Sequence, residues 1–159
     1  MNTQAQAAAP VRATDGFTIL AYAVQFFFGG WFLFHGLNYF LAFFPQPPGS
    51  SVLTHEFIGA LIDSGIFGVV KGIEVATGVA FLANRFVPLA AVAAFPVSFS
   101  IAYINFVANG DALSVLVSIL VIGFNGIIAL GHLDRFLPML AFDQGDPGAR
   151  GLKQFFGGR

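Results

Sequence analysis

The chain has 159 residues, 57% of them hydrophobic and only 9% charged, with a mean hydropathy of +0.80. A soluble domain carries roughly a quarter charged residues, so this composition belongs to a membrane protein, with room for about four spans of roughly 20 residues each. Seven Lys and Arg against eight Asp and Glu give a net charge of −1. No basic surface is available to neutralise a phosphate backbone, which excludes nucleic acid as a partner. The absence of cysteine excludes disulfides, thiolate nucleophiles, iron–sulfur clusters and Cys-ligated zinc.

Residues 1–16 are polar and Ala-rich and lack the charged start, short apolar core and cleavage site of a secretory signal, so they read as a flexible tail. Residues 17–43 form the first predicted span, interrupted only by Gln25, His35 and Asn38. The PQPPGSS stretch from Pro45 to Ser51 cannot continue a helix, because proline lacks the amide donor and restricts the residue before it. Residues 57–83 form the second predicted span, which carries Asp63, Lys71 and Glu74 inside it. A turn at Asn84 and Arg85 leads to a third span over 86–108, where Pro96 is expected to bend the helix. Asn109, Gly110 and Asp111 are turn residues, and residues 112–131 give an uncharged fourth span.

The expected fold is therefore all-α: a polytopic four-helix transmembrane bundle over residues 17–133, followed by a cytoplasmic, interfacial tail over 134–159. Outside the spans, Arg12, Arg85, Arg135, Arg150, Lys153 and Arg159 all fall on one side. The two opposite loops, 44–56 and 109–111, contain no Lys or Arg. The positive-inside rule then places both termini in the cytoplasm.

Ionisable groups inside a span are candidate functional sites. An unpaired Lys71 costs roughly 2.5–3.5 kcal/mol at mid-membrane, and Glu74, at i+3, is placed to pair with it on one helix face. At about 100° per residue, Asp63 lies within roughly 80° of both. With a rise of about 1.5 Å per residue, His35, Asn38 and Asp63 fall in one polar layer, and Lys71 and Asn125 in a deeper one, with Glu74 and Gln25 just beyond. Two readings follow: a ligand pocket or proton path with Lys71 and Glu74 at its floor, or a self-satisfied ion pair that sets helix rotation. No metal site is expected. His35 and His132 differ by about 18 Å in depth, which does not suit a bis-histidine haem. Gly68 and Gly72, in GVVKG, fit the small-xxx-small pattern and are candidate helix-packing positions. Phenylalanines around all sides of the first span suggest lipid or partner contact.

Three segments resemble the DoxX family of four-helix bacterial inner-membrane proteins. They are FHGLNYF, Phe34–Phe40, with PQPP after it; KGIEVATGVAFL, Lys71–Leu82; and NRFVPLAAV, Asn84–Val92, with Pro96 beyond. The resemblance spans roughly residues 17–133. Many members carry an Arg and a Lys where this chain has Gln25 and Asn38 or Tyr39, and some have a His near Tyr103 and Asn105. The resemblance implies membrane redox chemistry, of which thiosulfate:quinone oxidoreductase subunits and assemblies that handle thiol or oxidative stress are examples.

Two functions are expected on these grounds. One is a subunit of a redox-linked membrane complex, without a cofactor of its own, binding a quinone or similar lipid-soluble molecule in a cleft of the first two spans. The other is an accessory subunit that packs against other integral membrane proteins, respiratory or photosynthetic, or against a second copy of itself.

Overall fold

A computed structural model describes residues 15–46 and 49–140. The predicted tails therefore lie largely outside the described residues, as do Arg12, Arg150, Lys153 and Arg159. The described residues are helical, without strands. Helix α1 is Gly16–Leu41, α2 Val52–Asp63, α3 Ile66–Leu82, α4 Val87–Tyr103, α5 Ala112–Gly131 and α6 Leu133–Phe136. A π-helical extension, Ile104–Asn109, continues α4, and a short 3₁₀ turn, Leu137–Leu140, follows α6.

The helix ends follow from local chemistry. The Asp15 carboxylate accepts from the Phe17 amide at the start of α1, and Ser51 Oγ accepts from the Thr54 amide at the start of α2. At the far end of α1, Ala42 takes a left-handed conformation with φ 51°. There Asn38 clamps the departing chain: its Nδ2 donates to Phe44 O (3.0 Å) and its Oδ1 accepts from Phe44 N (2.8 Å).

Among the described residues, three helices are long and apolar enough to cross a membrane: Gly16–Leu41, Val87–Asn109 and Ala112–Gly131. The second predicted span is not one helix. It breaks at Ser64 and Gly65, and α2 and α3 meet at 88°. Gly65 ends α2 with φ +76°, a conformation that glycine adopts without steric penalty. Only α3 therefore runs beside the other long helices, and counting the bent pair as one span brings the number to four.

Helix α1 packs against α3 and α5, and α4 against α5 and α3, which closes a ring of four helices. The tightest seam is between α1 and α3. A Cβ on Gly78 would lie 2.6 Å from Leu33 N and 2.8 Å from Gly29 O, and one on Gly36 would lie 3.0 Å from Lys71 O. These three glycines let the two backbones nearly touch. The predicted packing pair does not do this within the chain: a Cβ on Gly68 would make ordinary contact with Tyr39 at 3.5 Å, and one on Gly72 would meet nothing within 4 Å. On the other side of the ring, Ala90, Ala91 and Ala94 of α4 lie in a core shared with Phe28, Phe32, Phe81, Val121 and Ile128. Outward faces carry Ile19, Phe26, Val69, Leu89, Phe99 and Ile119, all exposed. An apolar exterior of this extent is the surface of a multi-pass membrane protein.

Helix α5 begins at Asp111, whose carboxylate accepts from the Ser114 hydroxyl and amide, from the Ser50 hydroxyl and from the Leu113 amide. These bonds, those from Ser114 first, hold its pKa at about 2 against an ordinary 3.8. A depressed carboxylate pKa stabilises the fold above the unfolded value, and that stabilisation is lost as pH falls through the folded value. Asp111→Asn keeps a cap acceptor but removes the titration. The melting-temperature difference between wild type and Asp111→Asn in detergent is therefore expected to shrink between pH about 4 and pH about 2. A difference that stays constant across that window contradicts the assignment.

Candidate functional site

The helices border a half-open cavity of about 580 Å³, within the range of small-molecule sites. One side of α1 supplies Phe28, Trp31, Phe32 and His35, at the i, i+3, i+4, i+7 spacing of a single helix face. Helix α3 supplies Phe67, Lys71 and Glu74, α4 and its extension supply Val97, Ile101, Asn105 and Asn109, and α5 supplies Leu120, Val121 and Phe124. Helix α2 lines one end with Thr54, Phe57, Ile58 and Leu61.

The α1 side of the wall is aromatic. Phe28 stands 4.3 Å from Phe32 between ring centroids and edge-on to Phe124 at 6.0 Å, and Trp31 stands 4.4 Å from His35. The phenylalanines of the first span are therefore not all turned to lipid or to a partner: Phe28 and Phe32 are each 1% exposed. Their phase with His35 was the sequence signal for this lining.

Against this wall stands one ion pair. Lys71 Nζ donates to Glu74 Oε1 at 2.9 Å and to Oε2 at 2.8 Å, and both residues are buried. The ammonium also sits 5.2 Å from the centroid of the Phe67 ring, one turn earlier on α3. Thr77 does not share the carboxylate, because its hydroxyl donates to the Ile73 and Glu74 carbonyls. Among the described residues, the Glu74 carboxylate takes hydrogen bonds only from Lys71. An ammonium has three donors and a carboxylate about four acceptor positions. The pair thus keeps one donor and further acceptor capacity for a third party.

Its net charge is zero, and this sets the class of molecule that fits. A charged ligand would leave an uncompensated charge in a low-dielectric site, at a cost of several kcal/mol. A neutral molecule with a polar head and an apolar body meets both the pair and the aromatic wall.

Of the other polar residues expected to join this site, only His35 does so. His35 is on the cavity wall, but Asn38 is spent on the Phe44 backbone. Asp63 is exposed at the end of α2, so the expected His35, Asn38 and Asp63 layer does not assemble. The α2–α3 bend carries Asp63 away, and the Asn38 amide points into its own loop. Asn125 does not pair with Lys71. It reaches from α5 to α4, donating to Ala91 O at 3.3 Å and Ser98 Oγ at 3.5 Å. Gln25 ties α1 to the end of α3 through Phe81 O (2.9 Å) and Asn84 Oδ1 (3.1 Å), while its Oε1 is buried without a partner. It borders a separate pocket of about 70 Å³ beside His132.

A second polar group at the α2 end of the cavity was not anticipated. Asn109 Oδ1 accepts from Thr54 Oγ1 at 2.7 Å and from Ser50 N at 3.2 Å, and Asn109 Nδ2 donates to Asn105 Oδ1 at 3.2 Å. Thr54, Asn105 and Asn109 all border the cavity, as does Gln46, whose Nε2 is buried without a hydrogen-bond partner. These residues read as loop and helix-end chemistry in the sequence, and only the folded chain brings them together. Comparison with profiles of protein families, with curated proteins and with solved structures returns no match to this chain.

Proposed function

We propose that the protein is a DoxX-like, four-span subunit of a redox-linked complex in a bacterial inner membrane, and that its cavity binds a quinone or similar neutral, lipid-soluble molecule at Lys71 and Glu74. The observation that carries the reading is the electrically neutral, bidentate ion pair standing in a cavity of about 580 Å³ whose α1 side is aromatic. A quinone head offers carbonyl acceptors to the remaining Lys71 donor and, once reduced, hydroxyl donors to Glu74. Phe28, Phe32 and Trp31 supply flat apolar contact for its ring. The electron donor or acceptor belongs to a partner protein.

Charge supports the orientation. Arg85 and Arg135 lie at the end of the bundle where α1 begins and α5 ends, whereas Glu56, Asp63 and Asp111 lie at the α2 end, whose described residues carry no Lys or Arg. By the positive-inside rule the former end faces the cytoplasm. The α2 end then faces the opposite surface of the membrane.

Decylubiquinone titrated into the protein in nanodiscs is expected to quench the fluorescence of Trp31, the chain's single tryptophan, in a saturable manner. Quenching that rises only linearly with membrane quinone overturns the reading.

The accessory role is favoured by one separate observation, the open space over Gly72 on the outer face of α3. A neighbouring membrane helix can approach closely there. Gly72→Leu is expected to release the protein from a native complex, as judged by co-purification. Unchanged co-purification removes Gly72 from any interface.

A further inference from the structure

We propose that the cavity opens sideways into the hydrocarbon layer between α1 and α5, and that its ligand is a lipid whose apolar tail leaves through this mouth while its head lies at Lys71 and Glu74. The proposal rests on the reading of the cavity as a ligand site and adds the route into it and the shape of the molecule that takes it.

A side chain that borders a cavity and is also open to the outside marks the rim of that cavity. Three such residues stand together: Phe27 (58% exposed) and Trp31 (45%) on α1, and Leu120 (40%) on α5. The contacts between these two antiparallel helices fix their register. A Cβ on Gly131 would lie 2.8 Å from Ala21 Cβ, and Phe27 meets Phe124 edge-on at 5.6 Å. One further turn, about 3.6 residues along each helix, brings Trp31 level with Leu120. There the Trp31 ring lies against its own helix, 6.3 Å from Phe27 and 4.4 Å from His35.

The other sides of the cavity offer no equal gap at this level. Pro96 and Ser100 of α4 border the cavity and are exposed, but Val70 and Ile73 of α3 pack against the core. Phe57 and Ile66 extend the exposed rim at the α2 end.

Depth decides what lies outside the mouth. At about 1.5 Å per residue, Trp31 lies roughly 22 Å from the start of α1 and Leu120 roughly 12 Å from the start of α5, so both stand near mid-span. The medium there is acyl chain, and Phe27, Trp31 and Leu120 offer it only apolar contact or an indole. A tail that stays in this medium keeps its contact with lipid, while a neutral head passes inward to Lys71 and Glu74, which are buried behind the rim.

The test uses protein reconstituted without quinone in vesicles of phosphatidylethanolamine and phosphatidylglycerol. These are doped with a phosphatidylcholine that carries a diazirine midway along one acyl chain, and adducts formed on illumination are mapped by mass spectrometry. Adducts are expected on Phe32 and Val121, which border the cavity and are 1% and 5% exposed, as well as on the outward Leu89. Leu120→Trp narrows the mouth and is expected to abolish the inner adducts. Ile119→Trp adds the same bulk to the outer face of α5 and should leave them unchanged. Should Leu120→Trp not fold, Trp31→Ala widens the mouth and should raise the inner adducts instead. Adducts confined to outward residues, or inner adducts indifferent to all three substitutions, overturn the opening. The labelling needs no quinone, so inner adducts that added decylubiquinone fails to reduce support the opening and count against the quinone.

Discussion

Replacing Lys71 by Met is expected to destabilise the protein by about 3–5 kcal/mol, and the double replacement Lys71→Met with Glu74→Leu to recover most of that loss. The single variant leaves the Glu74 carboxylate, 2% exposed, without the bidentate partner that holds it at 2.8–2.9 Å. It must then find new solvation or become protonated. The double variant removes both charges and fills similar volume with apolar atoms, which is often neutral for a buried pair. Ligand binding is expected to follow a different order: lost in Lys71→Met, lost in Glu74→Gln, and still absent in the stable double variant. Thermal unfolding in detergent together with decylubiquinone titration separates the two quantities. Were the double variant to bind as well as wild type, the pair would serve only to set helix rotation.

The second large effect is expected at Gly78, where Gly78→Ala should cost about 1–3 kcal/mol and Gly78→Leu should prevent assembly of the bundle. The added Cβ meets backbone rather than movable side chains: Leu33 N at 2.6 Å, Gly29 O at 2.8 Å and Leu33 Cα at 2.9 Å. To accommodate it, α1 must move away from α3. That displacement shifts Phe28, Phe32 and His35 relative to Lys71 and Glu74, and so spoils the cavity as well as the seam. Gly72→Ala on the same helix faces open space and should leave the melting temperature unchanged or slightly higher, since alanine favours helix. Size-exclusion profiles and melting temperatures of the three variants decide the matter. Equal tolerance at positions 72 and 78 would contradict the close α1–α3 packing.

The long apolar helices were legible because hydropathy and turn residues mark them directly. Residues 17–43, 86–108 and 112–131 were predicted, and Gly16–Leu41, Val87–Asn109 and Ala112–Gly131 are found. The α2–α3 break was missed because apolar residues flank it on both sides. Its signal was the Ser64–Gly65 pair, a turn-forming dipeptide inside an otherwise apolar run. The Lys71–Glu74 bond was legible from spacing alone, since i and i+3 are neighbours on any helix. Contacts between helices were not. Axial depth places Asn125 level with Lys71, but rotation about the helix axis decides which neighbour it meets, and that neighbour is α4. Likewise GVVKG was the conspicuous glycine pair, whereas Gly29, Gly36 and Gly78 make the close approach, because the seam depends on the relative phase of two helices.

In the proposed function, Lys71 and Glu74 hold a neutral, lipid-soluble molecule inside the bundle. This is tested most directly by purifying wild type and the Lys71→Met/Glu74→Leu double variant from their native membrane in mild detergent and extracting each for mass spectrometry of small molecules. A quinone-like molecule is expected in near-stoichiometric amount with wild type and is expected to be absent from an equally folded double variant. The same molecule in equal amount in both, or nothing beyond bulk lipid with wild type, would contradict it.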